Sequence, residues 1–211
     1  MLHCNNLTCV RENRVLFQNF NLIVKPGDIV QIEGPNGVGK TSLFRLLVGL
    51  AQPYCGDISW QNESIASDRD VFHRQLLFLG HKSGVKPELT ALENLQFFQN
   101  MHPAKGSFNL CSVLAKVGLA GYEDIPTSQL SAGQQRRVAL ARLWINDCPL
   151  WILDEPFTAI DKSGIAVLEE LFIEHAKKGG MLLLTTHQDL SIDKKLLRKV
   201  TLEKSLSDIY V

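Results

Sequence analysis

The sequence predicts an α/β fold built on a largely parallel sheet. Apolar, β-branched runs alternate along it with segments whose apolar residues recur at helical period. Two further features support this. The runs LWILD at 150–154 and MLLLTT at 181–186 are apolar at nearly every position, as strands covered by helices on both faces must be. A glycine-rich turn also follows IVQIE at 29–33 and opens a helix-period segment, a strand–loop–helix order.

Taken in order, strands are expected at 15–24 and 29–33, joined by the turn Lys25-Pro26-Gly27-Asp28. A helix at 40–50 and a strand at 75–79 follow. Helices are expected at 90–101, opened by a Thr90–Glu93 capping box, and at 107–117. A helix at 132–146 leads to the strand at 150–154, and a helix at 163–178 ends at Gly179-Gly180 before the strand at 181–186. The stretch 82–128 has no strand pattern. It reads as a helical lobe inserted into an α/β core made of 1–81 and 129–211, so the 211 residues form one domain.

Bulk properties narrow the function. Lys plus Arg number 22 and Asp plus Glu number 22, so the basic excess of a general nucleic-acid binder is missing and nucleic acid is not an expected partner. The basic pairs Lys194-Lys195 and Arg136-Arg137 read as solvated faces or helix ends. Cys4, Cys9, Cys55, Cys111 and Cys148 form no C-x-x-C pair, so reduced thiols are expected rather than a zinc site or a disulfide framework. The start MLHCNNLTCVRENR lacks a signal peptide's apolar core. No run approaches the ~18 apolar residues of a membrane span, so any work at a membrane is expected to go through partners.

The chemistry sits in three short stretches. Residues 34–41, GPNGVGKT, match the phosphate-cradling pattern G-x-x-x-x-G-K-[ST]. Gly34, Gly37 and Gly39 let the backbone curl so that its N–H groups wrap phosphates. Pro35, Asn36, Val38 and Ser42 complete the wall of the cradle, Lys40 reaches the β- and γ-phosphates, and Thr41 offers a hydroxyl to Mg²⁺. The expected ligand is ATP with Mg²⁺. Asp154, at the carboxyl end of LWILD, stands where open α/β sheets bind ligands and is a second Mg²⁺ residue. Glu155 beside it can orient and deprotonate a water, which favours hydrolysis over transfer to an acceptor. The third stretch is LSAGQ at 130–134, a small polar turn opening an amphipathic helix. It is a second anion-holding helix start, beyond what one chain's nucleotide requires.

Together GPNGVGKT, LSAGQ, LWILDEP, TAID at 158–161 and TTH at 185–187 resemble the ATP-binding-cassette ATPases in order and spacing, over nearly the whole chain. The resemblance implies a P-loop nucleoside-triphosphatase core with N-terminal antiparallel strands. It implies a head-to-tail dimer with ATP between one copy's P-loop and the other's LSAGQ, so that Ser131, Gly133 and Gln134 serve the partner's nucleotide. Asp161 then corresponds to the residue linking the two sites, and His187 to the one positioning the γ-phosphate and the water. Two places depart from the family. His81 stands where a glutamine is usual, which would make activity sensitive to mild acid. Arg11 stands where an aromatic residue usually stacks on adenine, and either stacks by its guanidinium plane or is merely solvated. The segments at 80–98, 129–144 and 150–161 are similar to the CcmA family, ATPase subunits of bacterial cytochrome c maturation. That implies a peripheral place on the cytoplasmic face of the inner membrane. The implied partners are membrane subunits of CcmB and CcmC type docked on the helical lobe, and indirectly the haem chaperone CcmE.

Overall fold

The computed structural model describes residues 1–101, 106 and 108–204. Two sheets and their covering helices make up the chain. The first sheet is antiparallel, in the order β2-β1-β4-β5: β1 (Leu2–Arg11), β2 (Arg14–Val24), β4 (Cys55–Trp60) and β5 (Glu63–Ser64). The second is parallel, in the order β6-β7-β8-β3-β9: β3 (Ile29–Glu33), β6 (Leu76–Leu79), β7 (Leu150–Asp154), β8 (Met181–Thr185) and β9 (Leu197–Thr201). The helices are α1 (Lys40–Leu47), α2 (Arg69–His73), α3 (Ala91–Met101), α4 (Leu110–Lys116), α5 (Ala132–Ala141) and α6 (Lys162–Lys177).

The all-apolar runs are explained by burial on two sides. In β7, Leu150 and Ile152 face the antiparallel sheet and α1, whereas Trp151 and Leu153 face α5 and α6. In β8, Met181 and Leu183 join the first cluster and Leu182 and Leu184 the second. Each fully buried Leu or Ile contributes roughly 1.5–3 kcal/mol relative to exposure, so these two strands anchor the sheet. A third cluster packs Ala91, Leu95, Val113 and Leu114 of α3 and α4 on Val138 and Ala141 of α5. Helices α3 and α4 are therefore seated on the helix that LSAGQ opens.

The local signals hold. Thr90 and Glu93 exchange capping-box bonds of 2.8 and 3.1 Å. Asp28 N–H donates to the Lys25 carbonyl at 3.0 Å across the expected turn. Past α6 the Gly179 and Gly180 amides donate to Ala176 and His175, both at 2.9 Å, closing the helix.

The differences are in the weakly patterned pieces. The helix expected to 146 is α-helical only to Ala141 and finishes in a 3₁₀ turn, Arg142–Trp144. Of the helix expected at 107–117, residues 110–116 are helical and residue 107 lies outside the described residues. Strands β1, β4 and β9 had no clear pattern. The pairing of β1 shifts register after Cys4, where Asn6 takes φ 48°, and this breaks its alternation. β9 is an edge strand with Arg198 and Lys199 exposed.

Candidate functional site

Three carboxyl ends of the parallel sheet converge. β3 runs into the glycine-rich loop and α1, β7 ends on Asp154, and β8 ends on Thr185, paired with Asp154 in register. Gly34 passes so close to β9 that an added Cβ would stand 2.7 Å from the Leu202 carbonyl. Gly39 starts α1 at φ 110°, a conformation that side chains rarely allow. Lys40 Nζ is turned back into the loop and donates to the Gly34 carbonyl at 2.7 Å and the Pro35 carbonyl at 3.4 Å.

Asp154 is 3% exposed, and each of its carboxylate oxygens accepts a hydrogen bond. Thr41 Oγ1 donates to its Oδ2 at 2.9 Å and Thr185 Oγ1 to its Oδ1 at 2.7 Å. The Thr185 hydroxyl in turn accepts the Glu155 N–H at 2.9 Å. Hydroxyl and carboxylate oxygens thus meet at the mouth of the glycine loop, a hard-oxygen donor set suited to Mg²⁺. Glu155 has φ 50°, unusual for a residue with a long side chain. Its Oε1 is 3.5 Å from His187 Nε2, close enough for electrostatic contact yet outside hydrogen-bond geometry, so this buried oxygen keeps a free acceptor.

The structure therefore gathers Lys40, Thr41, Asp154, Glu155 and His187. His81 is exposed and lines the same recess as Glu155, together with Ala132 and Ala159. Arg11 borders a second recess, of about 470 Å³, whose wall includes Pro35, Asn36, Gly37 and Val38. It is exposed, with its Nε 3.5 Å from Glu12 Oε1. Ser131, Gly133 and Gln134 stand apart at the start of α5. There Ser131 Oγ accepts the Gln134 N–H at 3.2 Å and Gln134 Oε1 accepts the Ser131 N–H at 2.9 Å, a complete capping box. Asp161 is bonded within its own chain, to Ser163 Oγ at 2.5 Å and Arg137 at 2.8 Å. The Ser163 bond leads, and Arg137 assists, in holding its carboxyl below the ordinary range.

Sequence reasoning overlooked one group and misplaced a pair. Thr185 sits inside TTH, but only the β7–β8 register shows that it meets Asp154. Arg136 and Arg137 do not form the solvated face expected of them. Arg136 is 6% exposed and donates to backbone carbonyls at the ends of β6 and β7. The Arg137 side chain, 26% exposed, donates to the Val117 carbonyl at 3.2 Å besides Asp161. Only their position on the buried side of α5, invisible from a short RR pair, distinguishes them from surface cations.

The profile described as ABC transporter matches residues 17–158. The chain belongs to the ABC transporter family. A protein of Aliivibrio fischeri named cytochrome c biogenesis ATP-binding export protein CcmA is 58% identical over 202 residues, covering 96% of this chain and 99% of that one. The Vibrio cholerae protein of the same name is 55% identical, covering 96% and 98%. Among solved structures, the ATP-binding subunit of an ABC transporter superposes with a TM-score of 0.84 at 24% identity, covering 96% of this chain and 86% of that one. A dimeric ATP-binding cassette in a post-hydrolysis state, bound to ADP and Pi, matches with a TM-score of 0.74 at 27% identity, covering 89% and 88%.

Proposed function

We propose that the chain is the ATP-hydrolysing subunit of a membrane ABC complex serving cytochrome c maturation. One observation carries the hydrolytic reading: Thr41 and Asp154 meet at 2.9 Å, with the Glu155–His187 pair directly beside them. The biological assignment rests on relatives 55–58% identical over almost their full length.

Thr41 and Asp154 would hold Mg²⁺, which when bound neutralises charge on the phosphates. The amides of the 34–42 loop wrap the phosphates, and Lys40, released from the Gly34 and Pro35 carbonyls, takes the charge of the γ-phosphate. Glu155 uses its unpartnered Oε1 to accept a proton from the attacking water. His187, 3.5 Å away, orients that carboxylate and the γ-phosphate. Arg11 borders the face where the base would lie, and His81 lines the recess that the water enters. Ser131, Gly133 and Gln134 already form a capped helix start, whose positive dipole end is suited to the γ-phosphate held by a second copy. Loss of that phosphate removes those bonds, so hydrolysis loosens the dimer. Asp161 would leave Arg137 to reach across that interface. The α3–α4 lobe, inserted between 82 and 128, is the surface for membrane subunits of CcmB and CcmC type, placing the chain peripherally on the cytoplasmic face of the inner membrane. Through them the cycle would act on the haem chaperone CcmE.

Purification from membranes tests the assignment. CcmB- and CcmC-type subunits should accompany the chain, and the complex should release phosphate from ATP with no added acceptor. A chain that stays in the soluble fraction while those subunits are present would refute the biological reading, and phosphate release that requires an acceptor would refute the hydrolytic one.

A further inference from the structure

Glu155 is aimed by its backbone, and one guanidinium grips that backbone. Arg136 Nη2 donates to the Asp154 carbonyl at 2.7 Å and to the Glu155 carbonyl at 3.0 Å. These belong to the two peptide planes flanking the Glu155 Cα. The first plane is held from its other side as well, since its N–H donates to Thr185. With both planes fixed, φ and ψ of Glu155 are set, and the unusual φ of 50° is maintained. Arg136 Nη1 reaches the Gly80 carbonyl at 2.7 Å, immediately before His81.

The same helix holds the far side of the His81 loop. Arg142 Nη2 donates to the Ser83 carbonyl at 3.1 Å and the Gly84 carbonyl at 3.0 Å, while its guanidinium lies 3.2 Å from the centre of the Phe98 ring. Loop 80–84 is therefore strung between two arginines of one helix and its 3₁₀ extension. Burying Arg136 has a cost: desolvation draws its pKa below the ordinary guanidinium value, opposed by Asp154 and Glu155, and its Nε has no partner. An apolar side chain would avoid that cost but could not bridge three carbonyls on two strands, a task suited to a planar fork.

We propose that Arg136 is a positioning residue that sets the aim of the Glu155 carboxylate and makes that aim depend on whether the N-terminus of α5 is engaged. The dependence follows from where Arg136 rides. Four residues before Gly80's partner on this helix stand Ala132 and the LSAGQ turn, which in the head-to-tail dimer faces the partner copy's nucleotide. A displacement of α5 on docking there is transmitted through a rigid helix to the carbonyls that orient Glu155 in the chain's own site. Each copy thus senses one nucleotide and adjusts hydrolysis of the other. This inference rests on the dimeric ATPase reading above.

The test compares wild type, Arg136→Ala and Arg136→Lys as full chains in their membrane complex, with Glu155→Gln alongside. Measurements are kcat, the Hill coefficient for ATP and the affinity for a fluorescent ATP analogue. Misaiming a general base costs on the order of 10²-fold in rate. Arg136→Ala should lose about that much kcat while keeping nucleotide affinity within about 2-fold, and its Hill coefficient should fall from above 1 to about 1. Arg136→Lys, with charge but no fork, should recover only part of kcat; it alone decides the matter if the alanine variant does not fold. Wild-type kcat in Arg136→Lys, or a loss of nucleotide affinity equal to the loss of kcat, overturns the positioning role. A wild-type Hill coefficient of 1 overturns the coupling. Should Glu155→Gln itself retain full activity, the hydrolytic reading fails rather than the inference alone.

Discussion

The proposed function gives Glu155 the chemistry because a carboxylate with a free acceptor oxygen lies beside an exposed imidazole and a metal-type oxygen cluster. Glu155→Gln keeps the shape and removes the base. Steady-state assays should show hydrolysis slowed by about 10²–10⁴-fold with nucleotide affinity retained; unchanged turnover would remove Glu155 from this role. Another residue-scale effect concerns stability. His175 stacks on Trp151, with ring centroids 3.7 Å apart, and burial lowers its pKa from 6.5 to about 4. The folded protein therefore resists protonation that the unfolded chain accepts. Stability is fully present above pH 6.5 and is lost progressively as pH falls toward 4, by on the order of 2–3 kcal/mol. Chemical denaturation across that range should show the decline in wild type and a shallower one in His175→Phe; equal slopes would exclude His175. At this scale the sequence was legible wherever a residue type has one dominant use. Lys40, Thr41 and Asp154 could be named without a structure, whereas Thr185 could not, since a threonine at a strand end has many uses.

Helix α5 illustrates why one element can carry two roles. Its capping box stabilises the helix start by about 1 kcal/mol, and in the proposed dimer the same helix start holds the partner copy's phosphate. Ser131→Asp separates the two roles, because aspartate caps as well as serine but repels a phosphate. The melting temperature should stay within about 3 °C of wild type while ATP-driven dimerisation is lost. Dimerisation that persists in this variant would show that Ser131 is only a cap. Elements with strong punctuation were readable in advance: the Thr90–Glu93 box, the Pro26-Gly27 turn and the Gly179-Gly180 stop all lie where expected. β1 and β9 were not, because a bulge interrupts one alternation and an edge position makes the other charged. The arginines of α5 were misjudged for a similar reason. A helix buried against both a sheet and a lobe has little solvated face, so charge there signals a backbone partner instead of exposure.

For the whole molecule, the decisive feature of the proposed function is that its two phosphate cradles occupy separate places on one chain. The 34–41 loop joins Asp154 through Thr41, whereas the Ser131 side chain is bonded within its own turn, to Gln134. On the proposed reading, a single copy leaves that second cradle without a nucleotide, and a head-to-tail pair would supply both. Light scattering on the purified Glu155→Gln protein, with and without ATP and Mg²⁺, tests this most directly. The account predicts that the mass doubles when ATP is added and returns to one chain when ADP replaces it. A protein that binds ATP yet keeps the mass of a single chain would contradict it.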